Sequence, residues 1–190
     1  MRTVHPNFIV GIGGSAGGLS AYTALLDALP PNTGMAFVIV SHIYPTADSH
    51  LTEILARHTK MKVSLASEAM PIRSNHVYVI PANADLRILN YTFKVVIPRI
   101  KGNVQVDIFF TSLAESMKTR AIGVVLSGYF ADGTEGCKNI KANGGTTFAQ
   151  DNSAEINGMP LSAQASGFID FVLPPDKISH ELTKIAALAV

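Results

Sequence analysis

The stretch VGIGGSAGGLSA, residues 10–21, holds a serine among glycines and fits two motifs at once. Gly11, Gly13 and Ala16 fit G-x-G-x-x-A, the turn that brings backbone amides against a dinucleotide pyrophosphate. Gly13, Ser15 and Gly17 fit G-x-S-x-G, the sharp turn that displays a serine nucleophile. The two chemistries need different partners. A dinucleotide site wants an acid about 20 residues on, at the end of the second strand, for the ribose hydroxyls. Here that strand ends VIVSHIYP, and no carboxylate lies between Asp27 and Asp48. A serine hydroxyl is a poor nucleophile at neutral pH and needs an adjacent base. His42 stands where the ribose acid is missing.

An imidazole base needs a third group to orient it and to stabilise its protonated form. The loop GYFADGTEG supplies Asp132, and Asp151, after TTFAQ, is the alternative acid. Backbone N–H groups of Ala16 and Gly17, at the start of the following helix, are placed to face a developing oxyanion. Each residue also has an ordinary reading: Ser15 as a helix N-cap, His42 as a strand-end histidine, Asp132 as an Asp-Gly turn residue. Their coincidence at three strand ends favours a hydrolase, with nucleotide binding as the competing expectation.

Those positions depend on elements that alternate along the chain. FIVGI (8–12), MAFVIVS (35–41) and AIGVVLS (121–127) are apolar runs of buried-strand length. Leu19, Tyr22, Leu25, Leu26 and Leu29 keep helical spacing up to Pro30-Pro31. Leu51, Ile54, Leu55 and His58 mark a second helix, capped by Asp48 or Ser49. Asp107 is placed to cap a third, carrying Phe109, Phe110, Leu113 and Met117. A helix over 134–142 stops at Gly144-Gly145, a short one opens at Pro160, and a last one begins near Pro175-Asp176. TTFAQ and FIDFVLP read as further strands. Residues 61–100 differ in texture and predict a strand plus an antiparallel hairpin at one sheet edge. The expectation is an α/β fold: a doubly wound, mainly parallel sheet with helices on both faces, whose sites form at the carboxyl ends of the strands.

Composition narrows the function classes. A chain of 190 residues suits one well-buried domain, expected over 1–190. Net charge +1 without a dense basic run excludes a nucleic-acid reader. No apolar stretch approaches the ~20 residues of a membrane span, and MRTVHPNF lacks a signal-peptide core. Cytoplasmic location is therefore expected, and the single cysteine, Cys137, read as a buried small hydrophobe, agrees with it. His5, His50, His58, His76 and His180 have no metal-ligand spacing, so neither a metal nor a cofactor is expected. Charged residues make up 15% of the chain against roughly 25% in an ordinary soluble domain. Either the core is large or part of the surface is covered by a partner.

At this point the residues resemble a known family, the catalytic domain of the CheB-type chemotaxis protein-glutamate methylesterases. GIGGSAGGLSA is similar to its serine turn, VIVSHIYP to its histidine strand end, and GVVLSGYFADGTEG to its aspartate loop. VDIFFTSLAE, GGTTFAQD and NGMPLSAQASGFIDFVLP resemble its later segments, so the likeness runs from about Phe8 to Leu182. The resemblance implies Ser15, His42 and Asp132 as a triad that hydrolyses glutamate γ-methyl esters on chemoreceptor helices, with glutamine deamidation as a side activity. It implies methylated receptor helices as partners, a methyltransferase domain or partner nearby, no receiver domain here, and Tyr44, Tyr129 and Phe130 as the rim of an open site. An N–H of the Tyr129 loop would join those of Ala16 and Gly17. The chain departs from the family pattern with Tyr129-Phe130-Ala131 before the aspartate, Ser41 before the histidine and Leu161 after Met159-Pro160. The bulky Tyr129-Phe130 pair supports a second expectation, a receptor-docking or regulatory module with weakened catalysis.

Overall fold

The computed structural model describes residues 5–42 and 50–189. In chain order the strands are β1 (Ile9–Gly14), β2 (Ala36–Ser41), β3 (Lys62–Leu65), β4 (His76–Val79), β5 (Asp85–Leu89), β6 (Thr92–Val96), β7 (Ala121–Val125), β8 (Thr146–Gln150) and β9 (Phe171–Leu173). The helices are α1 (Gly18–Asp27), α2 (Leu51–Ala56), α3 (Gln105–Met117), α4 (Thr134–Ala142), α5 (Gly158–Ala165) and α6 (Pro175–Leu188). Seven strands form one parallel sheet in the order β3-β4-β2-β1-β7-β8-β9. The chain leaves β1 toward β2 and later returns to β7 on the other side. The switch point of this doubly wound sheet, where ligands of such folds bind, therefore lies at β1 and its two neighbours.

The central strands are apolar throughout because both their faces are covered. Every residue of β1 and β7 is buried. Along β2 the faces alternate: Val38 and Val40 join Phe109, Phe110 and Leu113 of α3, while Phe37 and Ile39 join Leu25 and Leu26 of α1 and Leu182 of α6. Cys137 is buried in the first of these layers, as its sequence context predicts.

Two expectations change. Residues 61–100 contribute two parallel strands to the main sheet, because HVYV forms β4 between β3 and β2 rather than belonging to a lone edge element. The antiparallel hairpin is present as β5–β6, turned at Asn90 and Tyr91, both with positive φ. It pairs with itself and forms a separate two-stranded sheet packed on α3. The second change concerns Asp107. It lies inside the first turn of α3, whose N-cap is Val104 without a side-chain cap bond. The caps expected for α2, Asp48 and Ser49, lie outside the described residues.

Close packing explains the first glycine of the motif. Gly11 and Gly123 are register partners on β1 and β7 and form a slot for the fully buried ring of Phe110. A Cβ on Gly11 would lie 2.7 Å from Phe110 Cε1, and one on Gly123 would lie 2.6 Å from Ile140 Cδ1 and 3.0 Å from Phe110 Cε2. Gly11→Ala should therefore cost about 1–3 kcal/mol as a lowered urea midpoint. Part of that loss should return in the double variant with Phe110→Leu, which frees space in the same slot.

Candidate functional site

The register of β1 on β2 ends at the pair Gly14 and Ser41, so the next residues, Ser15 and His42, leave adjacent strand ends side by side. On the other flank Ser15 donates its N–H to the carbonyl of Ser127, 2.8 Å away, at the end of β7. The three strands at the switch point thus deliver their first loop residues to one place. Ser15, His42, Arg99, Asn103, Tyr129 and Phe130 line a cleft of about 100 Å³ there. Sites that enclose a drug-sized ligand run to roughly 300–1,000 Å³, so this cleft admits the tip of a side chain and not a dinucleotide. The glycines point the same way. A Cβ at Gly13 would collide with Val106, and one at Gly14 with the Tyr22 hydroxyl. The absence of side chains there serves helix packing and leaves no face for a pyrophosphate.

The serine turn is tied down by its neighbours. Gly17 adopts the left-handed conformation at φ 70° and is the N-cap of α1. A Cβ there would lie 2.6 Å from Ser127 Oγ, so both the backbone and the space require glycine. Because Gly17 is the cap and no side chain caps α1, Ser15 does not serve as the helix cap. Ser127, fully buried, holds three segments together. Its N–H donates to Gln150 Oε1 at 3.0 Å, its Oγ donates to the Ala16 carbonyl at 2.8 Å, and the same Oγ accepts the Ile156 N–H at 2.9 Å. Among the described residues, no hydrogen bond occupies the N–H groups of Ala16 and Gly17. The uncapped start of α1 adds its positive end beside Ser15.

His42 meets Asp132 in the closest polar contact of the cleft. Nε2 lies 2.6 Å from Asp132 Oδ2, with the two side chains 9% and 1% exposed. A carboxylate only accepts, so Nε2 carries the proton and Nδ1 keeps its lone pair, which no hydrogen bond occupies among the described residues. Asp132 takes two further donors from the first turn of α3: Val106 N–H to Oδ2 at 3.0 Å and Asp107 N–H to Oδ1 at 2.8 Å. These amides and the helix dipole compensate its negative charge in a buried setting. Asp107 returns the service to α4, where its Oδ1 accepts the N–H groups of Gly133 at 2.9 Å and Gly136 at 2.8 Å. The two aspartates exchange caps, each closing the helix that the other's segment begins. Asp151, the alternative acid, instead accepts the Ser153 N–H within its own turn at the end of β8.

Tyr129 and Phe130 stand at the rim, 55% and 76% exposed. Phe130 holds a positive φ of 65°, which turns the loop outward before it drops to Asp132. Tyr44 lies outside the described residues. Arg99, Asn103 and Ser127 were not singled out from the sequence. The first two come from the stretch between β6 and α3, which carries no motif, and only the folded chain brings it to the cleft. Ser127 sits at a strand end before glycine, the one local signal that marked it.

The chain is similar to known proteins over most of its length. The profile of the CheB methylesterase family matches residues 10–182. A chain from Leptospira interrogans is 38% identical over 173 residues, covering 89% of this chain and 90% of its own length. The Pseudomonas fluorescens protein named protein-glutamate methylesterase/protein-glutamine glutaminase 1 is 35% identical over 185 residues, which are 94% of this chain and 54% of that protein. This chain thus spans about half the length of that relative. The crystal structure of the Thermotoga maritima CheB methylesterase catalytic domain superposes with a TM-score of 0.85 at 29% identity, covering 94% of this chain and 98% of that one. No helix among the described residues is long and apolar enough to cross a membrane.

Burial pushes the Asp107 carboxyl up to about 6, with the charge of Asp132 adding to the rise and the Gly136 and Gly133 amides opposing it. A carboxyl raised in the folded state binds more protons folded than unfolded between about pH 4 and 6, so it lowers stability as pH rises through that window. Asp107→Asn keeps an oxygen for both amides and removes the titration. Its melting temperature, relative to the parent protein, should therefore climb from pH 4 to 6 and level off above. A constant difference across that range would contradict the assignment.

Proposed function

Because the chain belongs to the CheB methylesterase family, we propose that it hydrolyses γ-methyl esters of glutamate side chains on methylated chemoreceptor helices, releasing methanol. The observation that carries this reading is the contact of His42 Nε2 with Asp132, which leaves Nδ1 as the base at the strand end beside Ser15. Ser15 Oγ attacks the ester carbonyl while His42 Nδ1 takes its proton, and Asp132 steadies the imidazolium. The tetrahedral oxyanion is held by N–H groups of Ala16 and Gly17, joined by one from the Tyr129 loop. Collapse expels methanol with the proton from His42. Water, deprotonated by the same imidazole, then frees the glutamate and regenerates Ser15. A glutamine amide passes through the same intermediate with ammonia as leaving group, so deamidation follows from the same site.

The shallow cleft with Tyr129 and Phe130 exposed at its edge suits a side chain presented on a helix surface rather than a small molecule enclosed on all sides. This reading places the domain in the cytoplasm beside the receptor helices, with a methyltransferase domain or partner supplying the esters. It treats residues 1–190 as one catalytic domain. The exposure of Phe130 at 76%, in the same cleft as Ser15, favours a second reading in which the domain docks on receptors with weakened catalysis.

Ser15→Ala and His42→Ala should each lower methanol release from methylated receptor by at least about 10³-fold, with unchanged far-ultraviolet circular dichroism. A fluorophosphonate probe should label Ser15 in the parent protein. Receptor binding without labelling would support the docking module, and undiminished turnover in either variant would end the triad assignment.

A further inference from the structure

Among the described residues, Arg99 is the one permanently charged side chain that lines the cleft with Ser15 and His42. It is half-buried, and among the described residues no carboxylate lies within ion-pair distance of it. Two buried carboxylates of the same region of the fold are committed elsewhere. Asp132 is taken by His42 and by the α3 amides. Asp85, fully buried at the start of β5, spends one oxygen on the Ile100 N–H at 2.8 Å and the other on Gln105 Nε2 at 3.0 Å. Gln105 Nε2 also donates to the Lys101 carbonyl at 2.6 Å, and Arg99 N–H donates to the Asn83 carbonyl at 2.8 Å. The segment bearing Arg99 is thus anchored on both sides by hydrogen bonds, one set of them to a buried carboxylate. That carboxylate pins the loop, and among the described residues the guanidinium has no partner. An anchored guanidinium left unpaired by the described residues of a half-buried cleft is a preorganised receptor for a carboxylate, the planar acceptor that its donor fork matches.

We propose that Arg99, with the neighbouring Asn103 amide, forms a carboxylate subsite beside Ser15, so that the protein favours esters with a free acidic side chain one helical turn away. The proposal rests on the methylesterase reading for its substrate. The ester itself is neutral and offers Arg99 no charge, so the anion must come from elsewhere on the substrate. On a helix, side chains three or four residues apart share a face with about 5–6 Å between Cβ atoms. A glutamate at that spacing reaches Arg99 while its esterified neighbour reaches Ser15. Charge-assisted pairing of this kind in a partly open cleft corresponds to about a tenfold preference and weakens as salt is raised.

The test uses two helical peptides that carry one glutamate γ-methyl ester, flanked one turn away on each side by glutamate in the first and by glutamine in the second. Binding is measured with the full chain bearing Ser15→Ala, which holds the ester uncleaved. The glutamate-flanked peptide should bind about tenfold more tightly at low salt, and the ratio should fall to near one when Arg99→Gln is added. A ratio of one with Arg99 present, or a preference that survives Arg99→Gln, overturns the subsite. Failure of both peptides to bind overturns it as well. Turnover of the same peptides by the protein with Ser15 in place separates the two ideas. A charge preference without methanol release would sink the esterase reading and leave the subsite standing, whereas methanol release without preference would do the reverse.

Discussion

The buried carboxylate of Asp132 is where the proposed catalytic arrangement and the fold depend on the same atoms. One oxygen faces His42 at 2.6 Å, and both receive amides from the first turn of α3. A lone carboxylate with side-chain exposure of 1% would be costly to keep charged. Here the helix that must be capped supplies the compensation, so orienting the imidazole and starting α3 are one event. Asp107 completes the exchange by closing α4 through Gly133 and Gly136. The loop carrying the acid is thereby held at both ends, by the helix it caps and by the helix that follows it.

A second constraint holds the other half of the site. Ser15 leaves β1 beside His42 because β1 and β2 are parallel and in register, and its turn is tied to β7 and β8 through Ser127 and Gln150. The glycines that first looked like a phosphate cradle let the sheet and its helices approach closely. Gly11 and Gly123 accept the Phe110 ring, Gly13 sits against Val106, and Gly14 sits over Tyr22. Phe110 and Val106 belong to α3, whose first turn holds Asp132. The packing that fills the sheet face is therefore continuous with the hydrogen bonds that place the acid.

The strand-and-helix rhythm was legible because it is local. Apolar runs of strand length, helical spacing of leucines and proline or glycine stops each act within a few residues. Ser15 and His42 were legible for the same reason, each being the first residue after such a run. Residues 61–100 hold two sheet strands where the pattern predicted one beside the hairpin, because HVYV alternates too briefly to reveal that it pairs on both sides. Flanking strands on both sides bury three of its four residues. Asp107 was misassigned because a sequence pattern shows that an aspartate lies near a helix start without showing which helix start its side chain reaches.

By itself, then, the sequence determined the order and kind of the elements, the serine turn and the histidine at the next strand end, since these follow from neighbours in the chain. Tertiary structure decided which acid meets the imidazole. Asp132, the acid favoured from the sequence, and Asp151, the alternative, follow successive strands, and the strand order puts β7 beside β1 and β8 one place further away. It also decided that Arg99 and Asn103 share the cleft. Their segment has no periodicity or motif of its own, and its course is set by the buried Asp85 carboxylate, a partner far from most of the site in sequence. Contacts of that kind depend on how whole elements pack, and no local pattern of residue types encodes them.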